Sequence, residues 1–348
     1  MEARDEDRMW RPGSSAAQHV APDHGAPPGN PMEQVLYEVK RTIVGQDVLL
    51  ERRVVALLAR GHILVEGVPG LAKTLAVKSM AAAIGGQFHR VQFTPDLVPA
   101  DLVGTRIFHQ QTGEFQVSLG PVFTNLLLAD EINRAPAKVQ SALLEVMQEQ
   151  QVTIGRETHR VPQPFLVMAT QNPIESEGTY PLPEAQVDRF MMKVLVGYPT
   201  PTEEFVVVER AIAPPPPTQR VIDTELLAAM QRKVDEVYVD PALIDYSVRL
   251  SNATRDPVSI GLGDLGRYIT FGASPRASIN LILAARALAL VRGRDYALPH
   301  DLSDLALDVL RHRLVLSYEA MADEISADQV LRRVMSAMPI PVVALRAG

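Results

Sequence analysis

The chain has 348 residues, which is too long for one ordinary hydrophobic core and fits two packed units. Its 47% apolar and 22% charged residues are typical of a soluble globular protein, and its net charge of −7 argues against a protein held mainly by nucleic-acid phosphates. The absence of cysteine excludes disulfides and thiolate metal sites and fits a reducing cytoplasm, and no apolar run is long enough to span a bilayer.

Residues 1–31 predict a disordered N-terminal tail. They are charged and rich in proline, glycine and alanine. They contain no apolar h-region, so they lack the pattern of a signal peptide. The only tryptophan of the chain, Trp10, lies in this segment. We therefore expect the folded part of the chain to begin at residue 32.

Residues 32–198 have the pattern of a parallel α/β core, because short apolar runs alternate with helical patterns. Five runs predict buried strands, at residues 63–65, 89–93, 124–128, 165–169 and 191–196. Helices are predicted between some of these strands, at residues 73–84 and 137–150. Two predicted hairpins, which no βαβ unit needs, are interpreted as insertions at residues 106–117 and 151–161.

A change of composition follows the core. Residues 199–220 are rich in proline, which interrupts helices and strands, so they are interpreted as a linker or stiff spacer. From residue 221 to residue 348 the pattern is helical only, which predicts an α-helical lid domain. Its helices are predicted at residues 224–237, 241–253, 274–292, 300–312 and 327–338.

A phosphate-binding loop is predicted between the first strand and the helix that opens at residue 73. Glycines there let backbone N–H groups turn towards phosphates, and the helix N-terminus adds its positive end. Lys73 would reach the β- and γ-phosphates of ATP, and Thr74 would hold Mg²⁺. Ala72 stands where the usual pattern has its second glycine, and its side chain is small enough for close backbone approach. The predicted nucleotide-binding residues of this loop are Gly67, Val68, Pro69, Gly70, Leu71, Ala72, Lys73 and Thr74.

Polar residues follow two further strands of the predicted sheet. Asp130 and Glu131 end an apolar strand, and an acid at that point beside a phosphate loop suits a metal-nucleotide site. Asp130 is expected to hold Mg²⁺ through Thr74 and water, and Glu131 to act as the base for the attacking water. Asn172, at the tip of the next strand, could hold that water against the γ-phosphate.

Taken together, these residues resemble an AAA+ ATPase, and within that group the MoxR family. The resemblance runs from residue 33 to residue 338. Beyond the phosphate loop and the acids it is carried by residues 44–47 (VGQD), 130–136 (DEINRAP), 169–173 (ATQNP), 177–190 (EGTYPLPEAQVDRF) and 272–277 (GASPRA).

The resemblance implies roles for further residues. Gly45 and Gln46 would lie near the adenine, and Asn172 would be sensor 1. Arg189 would be the arginine finger that acts on the ATP of a neighbouring copy. Arg276 would be sensor 2, which the sequence supports separately, since Ser274 and Pro275 suit the N-cap and first position of a helix.

The same resemblance implies Mg²⁺-dependent ATP hydrolysis in a hexameric ring of identical chains. It also implies chaperone-like remodelling or activation of a partner protein, in some relatives one with a von Willebrand A domain. The residues leave open a nucleic-acid motor or loader, a chelatase-type motor, and an ATP-gated scaffold with little turnover. The chain shows no aromatic and basic surface for stacking nucleic-acid bases, so nucleic acid is not the expected partner.

Overall fold

The structure is a computed structural model that describes residues 29–67, 73–111, 113–172, 178–212 and 217–342. Most of the predicted tail, residues 68–72 of the phosphate loop, residue 112 of the first hairpin and residues 173–177 of the family motifs therefore lie outside the described residues. So do residues 213–216 of the predicted linker and the C-terminal residues 343–348.

Helices and strands alternate in the first half of the described chain, and helices dominate the second. The helices are α1 (Pro31–Thr42), α2 (Asp47–Leu58), α3 (Lys73–Ala83), α4 (Pro99–Val103), α5 (Ala137–Glu149), α6 (Glu184–Val187), α7 (Pro201–Ala211), α8 (Thr224–Glu236), α9 (Pro241–Arg255), α10 (Pro275–Val291), α11 (Pro299–Leu310), α12 (Tyr318–Ala322) and α13 (Ala327–Ala337). The strands are β1 (Ile63–Gly67), β2 (Phe88–Gln92), β3 (Gly104–His109), β4 (Glu114–Leu119), β5 (Leu126–Asp130), β6 (Gln151–Ile154), β7 (Glu157–Arg160), β8 (Leu166–Gln171), β9 (Met192–Val196), β10 (Ile269–Phe271) and β11 (Val315–Leu316).

The five predicted core strands form one parallel sheet in the order β2-β5-β8-β1-β9. This confirms the predicted parallel α/β fold, and each strand starts and ends within two residues of its predicted bounds. The central strands β5 and β8 are buried on both faces, because helices cover the sheet from both sides. Their continuous apolar sequence is what that environment requires.

Alternate residues of the central strands pack into two separate hydrophobic clusters. Leu126 and Leu128 of β5 belong to the cluster that also contains α1, α2 and the lid helices α8 to α11. Leu127 and Ala129 belong to the cluster built with α5 and the hairpin β6–β7. Because successive side chains of a strand point to opposite faces, the lid and this hairpin lie on opposite faces of the sheet.

Both predicted hairpins are confirmed. β3 pairs with β4 from Gly104↔Leu119 to His109↔Glu114, and β6 pairs with β7 from Gln151↔Arg160 to Ile154↔Glu157. Gly155 turns the second hairpin with a φ of 68°, a conformation that favours glycine. A Cβ atom at this position would lie 2.6 Å from the side chain of Arg106, so the two hairpins also touch each other.

The predicted linker differs from the expected spacer, because residues 201–211 form helix α7. Pro201 occupies the first helical position, where its missing N–H costs nothing. Thr200 and Glu203 form a reciprocal capping box in front of it. Proline thus starts a helix here instead of preventing one. The boundaries of tail, core, linker and lid given above stay predictions.

The start of the folded chain also differs slightly from the expectation. Pro31, which was placed in the tail, is the first residue of α1. The side chain of Asn30 accepts a hydrogen bond from Met32 N and donates one to Leu290 O of α10, at 3.0 and 2.8 Å. These contacts tie the N-terminus of α1 to the lid.

The C-terminal helices match the predicted ones to within two residues, but the expectation of helices only is corrected by a short antiparallel pair. β10 pairs with β11 through Ile269↔Leu316. Strands of three and two residues are too short to show the alternation that identifies a strand, so the sequence pattern could not reveal them. None of the helices in the described ranges is long and apolar enough to cross a membrane.

Candidate functional site

The carboxyl ends of three neighbouring strands meet at one edge of the sheet. β1 lies beside β8, which lies beside β5, and all three run in the same direction. This topology brings together Gly67, the Asp130–Glu131 pair and Asn172, each at or just after the end of its strand. Clefts at such strand ends are where open parallel sheets bind ligands.

The predicted phosphate loop connects β1 to α3 at this edge. A Cβ atom on Gly67 would lie 2.5 Å from the backbone oxygen of Val196, so only glycine fits there. Residues 68–72 lie outside the described residues. Lys73 and Thr74 are the first residues of α3. The N-terminus of this helix therefore lies at the end of the loop.

Asp130 is held by two neighbouring strands. Its Oδ2 accepts hydrogen bonds from Arg90 Nη2 at 2.6 Å and Nε at 3.1 Å, and the carboxyl side chain is only 17% exposed. Its Oδ1 accepts a hydrogen bond from Thr170 Oγ1 at 2.6 Å. The carboxylate is therefore paired with Arg90 and fixed in orientation.

Glu131 follows at once, in a left-handed conformation with φ 55°. Its backbone N–H donates to Thr170 Oγ1 at 2.9 Å, so one hydroxyl orders both acids. Its Oε2 receives a hydrogen bond from Gln92 Nε2 at 2.8 Å and lies 2.9 Å from Arg134 Nε. A left-handed residue that is not glycine is uncommon, and here it turns the side chain out of the strand direction.

Arg90, Gln92 and Thr170 were not predicted as neighbours of the two acids. Arg90 and Gln92 alternate along β2 and so point to the same face, which the sequence does show. What the sequence did not show was the strand order, which places β2 and β8 on either side of β5.

Gly45 and Gln46, expected near the adenine, form the turn that enters α2. Both have positive φ, 66° and 58°. A Cβ atom on Gly45 would lie 2.8 Å from Glu203 Oε1, so this turn packs closely against α7. The segment expected to be a spacer therefore forms one wall beside the predicted adenine position.

Arg189 lies just after α6 and has an exposed side chain. It borders a cleft of about 300 Å³ that is also lined by Glu145 and Glu149 of α5. Within the described part of the chain, no acidic group lies within ion-pair distance of its guanidinium, and no hydrogen bond joins it to Asp130 or Glu131. The arginine is thus presented outwards.

Arg276 lies in the first turn of α10, after Ser274 at the N-cap position and Pro275 at the first helical position, as predicted. The expected capping bond is corrected by the structure. The Ser274 hydroxyl donates to both carboxylate oxygens of Asp188 at 3.1 Å instead of accepting from the helix. Arg276 Nη1 lies 3.8 Å from the same carboxylate, and its side chain is 48% exposed.

The donors at the sheet edge fit a magnesium-nucleotide complex. Mg²⁺ in nucleotide sites takes one or two carboxylates and completes its shell with phosphate oxygens and water. Asp130 would supply such a carboxylate, and the partly exposed Thr74 would supply a hydroxyl. No cluster of three or more carboxylate or imidazole ligands occurs among the described residues, and this kind of site needs none.

Comparison with known proteins places this site in a family. Residues 62–192 match the family model described as "ATPase family associated with various cellular activities (AAA)", and residues 266–334 match the AAA lid domain. The chain is 55% identical to the chaperone MoxR1 of Mycobacterium tuberculosis over 341 residues, which are 95% of this chain and 90% of that protein. The chain belongs to the MoxR family of AAA ATPases.

Two further proteins are similar to this chain over most of its length. YeaC of Bacillus subtilis is 44% identical over 87% of this chain and 93% of its own length. The crystal structure of a proposed ATPase from Cytophaga hutchinsonii superposes with a TM-score of 0.85 at 47% identity, covering 90% of this chain and 95% of the other. The MoxR resemblance and the α/β core with its lid domain are therefore confirmed.

Proposed function

We propose that this MoxR-family chain binds Mg²⁺-ATP at the sheet edge, hydrolyses it with help from a neighbouring copy, and uses the cycle to remodel or activate a protein partner. The observation that carries the proposal is the pair Asp130–Glu131 at the end of β5, beside the strand–loop–helix arrangement of Gly67 and α3. Membership of the AAA ATPase family supports the nucleotide assignment.

The roles of the residues follow from their positions. The loop N–H groups, the N-terminus of α3 and Lys73 would hold the phosphates, while Thr74 and Asp130 would hold the metal ion. Mg²⁺, when bound, would neutralise charge that develops on the transferred phosphoryl group. Glu131 would accept a proton from the attacking water, and Asn172 would orient that water. Gly45 and Gln46 would contact the adenine.

The neighbouring copy would contribute Arg189. An arginine finger accelerates phosphoryl transfer by about 10³–10⁵-fold, and it must reach the phosphates from outside when it acts on another subunit. The exposed Arg189 side chain, without an acidic partner in the described residues, suits that task. We therefore propose a closed ring of identical chains, with six subunits as in the family resemblance, and Arg276 as sensor 2.

A protein partner is supported by the name of the relative MoxR1, a chaperone, and by the hairpin β3–β4. Phe108 and Phe115 at this hairpin are 50% and 58% exposed, and their ring centroids lie 5.0 Å apart. Arg106 lies over the Phe115 ring at 4.7 Å. Exposed aromatic and arginine side chains are the residues most enriched at protein contacts. A von Willebrand A domain protein is the partner class that the family resemblance offers.

The test separates phosphate binding from water activation. Lys73→Ala should abolish binding of a fluorescent ATP analogue, because the phosphates lose their cation. Glu131→Gln should still bind the analogue while phosphate release falls by on the order of 10²–10⁴-fold, because the general base is lost.

The matched control is Glu236→Gln, which changes an exposed carboxylate at the end of α8 and should leave both readouts unchanged. Parental turnover in Glu131→Gln would remove Glu131 from the mechanism. Parental ATP binding in Lys73→Ala would remove the proposed phosphate site.

A further inference from the structure

Arg90 connects the contacts of the two acids at the end of β5. Its Nε and Nη2 both donate to Asp130 Oδ2, at 3.1 and 2.6 Å. The same Nη2 donates to Gln92 Oε1 at 2.7 Å. Gln92 in turn donates from Nε2 to Glu131 Oε2 at 2.8 Å. A continuous chain of hydrogen bonds therefore joins the carboxylate proposed to hold Mg²⁺ to the carboxylate proposed as general base.

Arg90 decides which end of the Gln92 amide faces Glu131. A guanidinium can only donate hydrogen bonds, so Gln92 presents its oxygen to Arg90. The NH₂ group of the amide is then left for Glu131, whose carboxylate oxygen accepts from it. Without Arg90 the amide is free to turn over, which would place its oxygen against that carboxylate. The restraint on Glu131 therefore depends on Arg90 as well as on Gln92.

Arg90 also takes up the binding capacity of Asp130. Oδ1 of this carboxylate accepts from Thr170, and Oδ2 accepts both hydrogen bonds from Arg90. A divalent cation held through Asp130 would repel the guanidinium, because both carry positive charge and both draw on one carboxylate. Arg90 can yield, since its side chain is 45% exposed and β2 is the edge strand of the five-stranded sheet.

We infer that Arg90 is a positioning residue that competes with the metal ion for Asp130. As long as Arg90 is held there, Gln92 keeps Glu131 restrained, so the base is released in a site that holds the metal ion with the nucleotide. This rests on the proposed function, which gives the two acids their roles. A bound cation can shift Arg90 only because it interacts differently with its two positions, on Asp130 and away from it.

The first test measures how much the metal ion contributes to nucleotide binding. The affinity of the full chain for a fluorescent, non-hydrolysable ATP analogue is determined in Mg²⁺ and again in EDTA. The ratio of the two affinities should rise by about tenfold in Arg90→Gln, because a repelling charge beside the metal position is lost. A residue that only oriented Asp130 for the metal ion would give a lower ratio when it is removed.

The matched control is Arg60→Gln. Arg60 forms a similar ion pair with Asp235, at 3.0 and 2.9 Å and with 42% of its side chain exposed, but it precedes the opposite end of β1. Its substitution should leave the ratio unchanged. Arg90→Lys keeps the charge and should stay within about twofold of the parental ratio. Arg90→Met, which is also neutral, replaces Arg90→Gln in the measurement if that variant does not fold.

The second test examines the link from Arg90 to Glu131. Gln92→Leu should raise basal phosphate release by about tenfold in the parental chain, because Glu131 loses a hydrogen bond. In the Arg90→Gln background the same change should raise it by no more than about twofold, since the amide is no longer held against the base. Two residues that act through one contact are non-additive in this way, whereas independent residues are additive.

The possible results separate the inference from the proposed function. An unchanged or lower ratio in Arg90→Gln overturns the inference, and so does an equal shift in Arg60→Gln. An equal effect of Gln92→Leu in both backgrounds, or no effect in either, also overturns it. If Lys73→Ala binds the analogue as the parent does, or Glu131→Gln keeps parental turnover, the proposed function fails together with the inference.

Discussion

At the scale of single residues, the two acids at the end of β5 are held in different ways. Asp130 is paired with Arg90 and fixed by Thr170, whereas Glu131 is held through one oxygen by Gln92 and Arg134. A general base that already accepts two hydrogen bonds competes poorly for the proton of a water molecule. The contact with Gln92 therefore restrains Glu131 in this arrangement.

Gln92→Leu should raise the basal ATPase rate. A hydrogen bond to a charged group is worth about 1.5–3 kcal/mol, so its removal should favour the catalytic position of Glu131 by about tenfold. Phosphate release under saturating ATP measures the effect. Gln116→Leu, an exposed position on β4, provides the control. A lower rate in Gln92→Leu would instead mean that Gln92 orients the base and does not restrain it.

At the scale of elements, the sequence predicted those that their own residues determine. The apolar run of β5, the positive-φ turn at Gly155 and the proline that opens α10 are local signals, and the corresponding elements lie where expected. Helix α7 was not predicted, because proline breaks a helix at an interior position but is favoured at the first position, where Pro201 stands. The Ser274 cap was predicted from its position, but a carboxylate from another domain takes its hydroxyl.

The link between β8 and α5 depends on a neutral histidine. His62, just before β1, accepts a hydrogen bond at Nδ1 from Val167 N and donates one from Nε2 to Met147 O, at 3.0 and 3.1 Å. Both bonds together require the neutral ring, because a protonated Nδ1 could not accept. Burial lowers the pKa of His62 to about 4. Burial also lowers the pKa of His312, at the junction of lid and core, well below its usual value.

Stability should therefore fall as the pH falls from about 6.5, the unfolded pKa of histidine, towards the folded pKa of His62 at about 4. In this window the unfolded chain binds a proton that the folded chain does not, which costs up to about 1.4 kcal/mol per pH unit for each such histidine. Urea unfolding at a series of pH values measures the slope. His62→Gln should be less stable at pH 7 and show a shallower slope, and an equal slope would contradict the assignment.

At the scale of the whole molecule, the sheet separates two hydrophobic clusters. The lid helices share one hydrophobic cluster with α1 and α2, while the hairpin β6–β7 packs in the cluster on the other face. The strands β5 and β8 belong to both clusters and end at the candidate site. Both strands therefore join the candidate site to each face of the sheet through direct packing.

The sequence predicts roles for Arg189 and Arg276, but it does not show that Asp188, next to Arg189, lies 3.8 Å from Arg276. Asp188 and Arg313 are 125 residues apart, and no local pattern marks two such positions as partners. The same holds for Arg90 and Asp130, which come together only because β2 lies beside β5. Long-range pairing of charged groups is decided by topology, and for this reason the network around Asp188 was found only in the structure.

We propose that one chain alone does not form a complete ATPase site. The most direct test measures turnover per chain as a function of chain concentration, with the mass of the particles followed in the same samples. Turnover per chain should rise by roughly 10³-fold as single chains assemble, because each site then receives the arginine of a neighbour. Single chains that hydrolyse ATP at the rate of the assembled form would contradict the account.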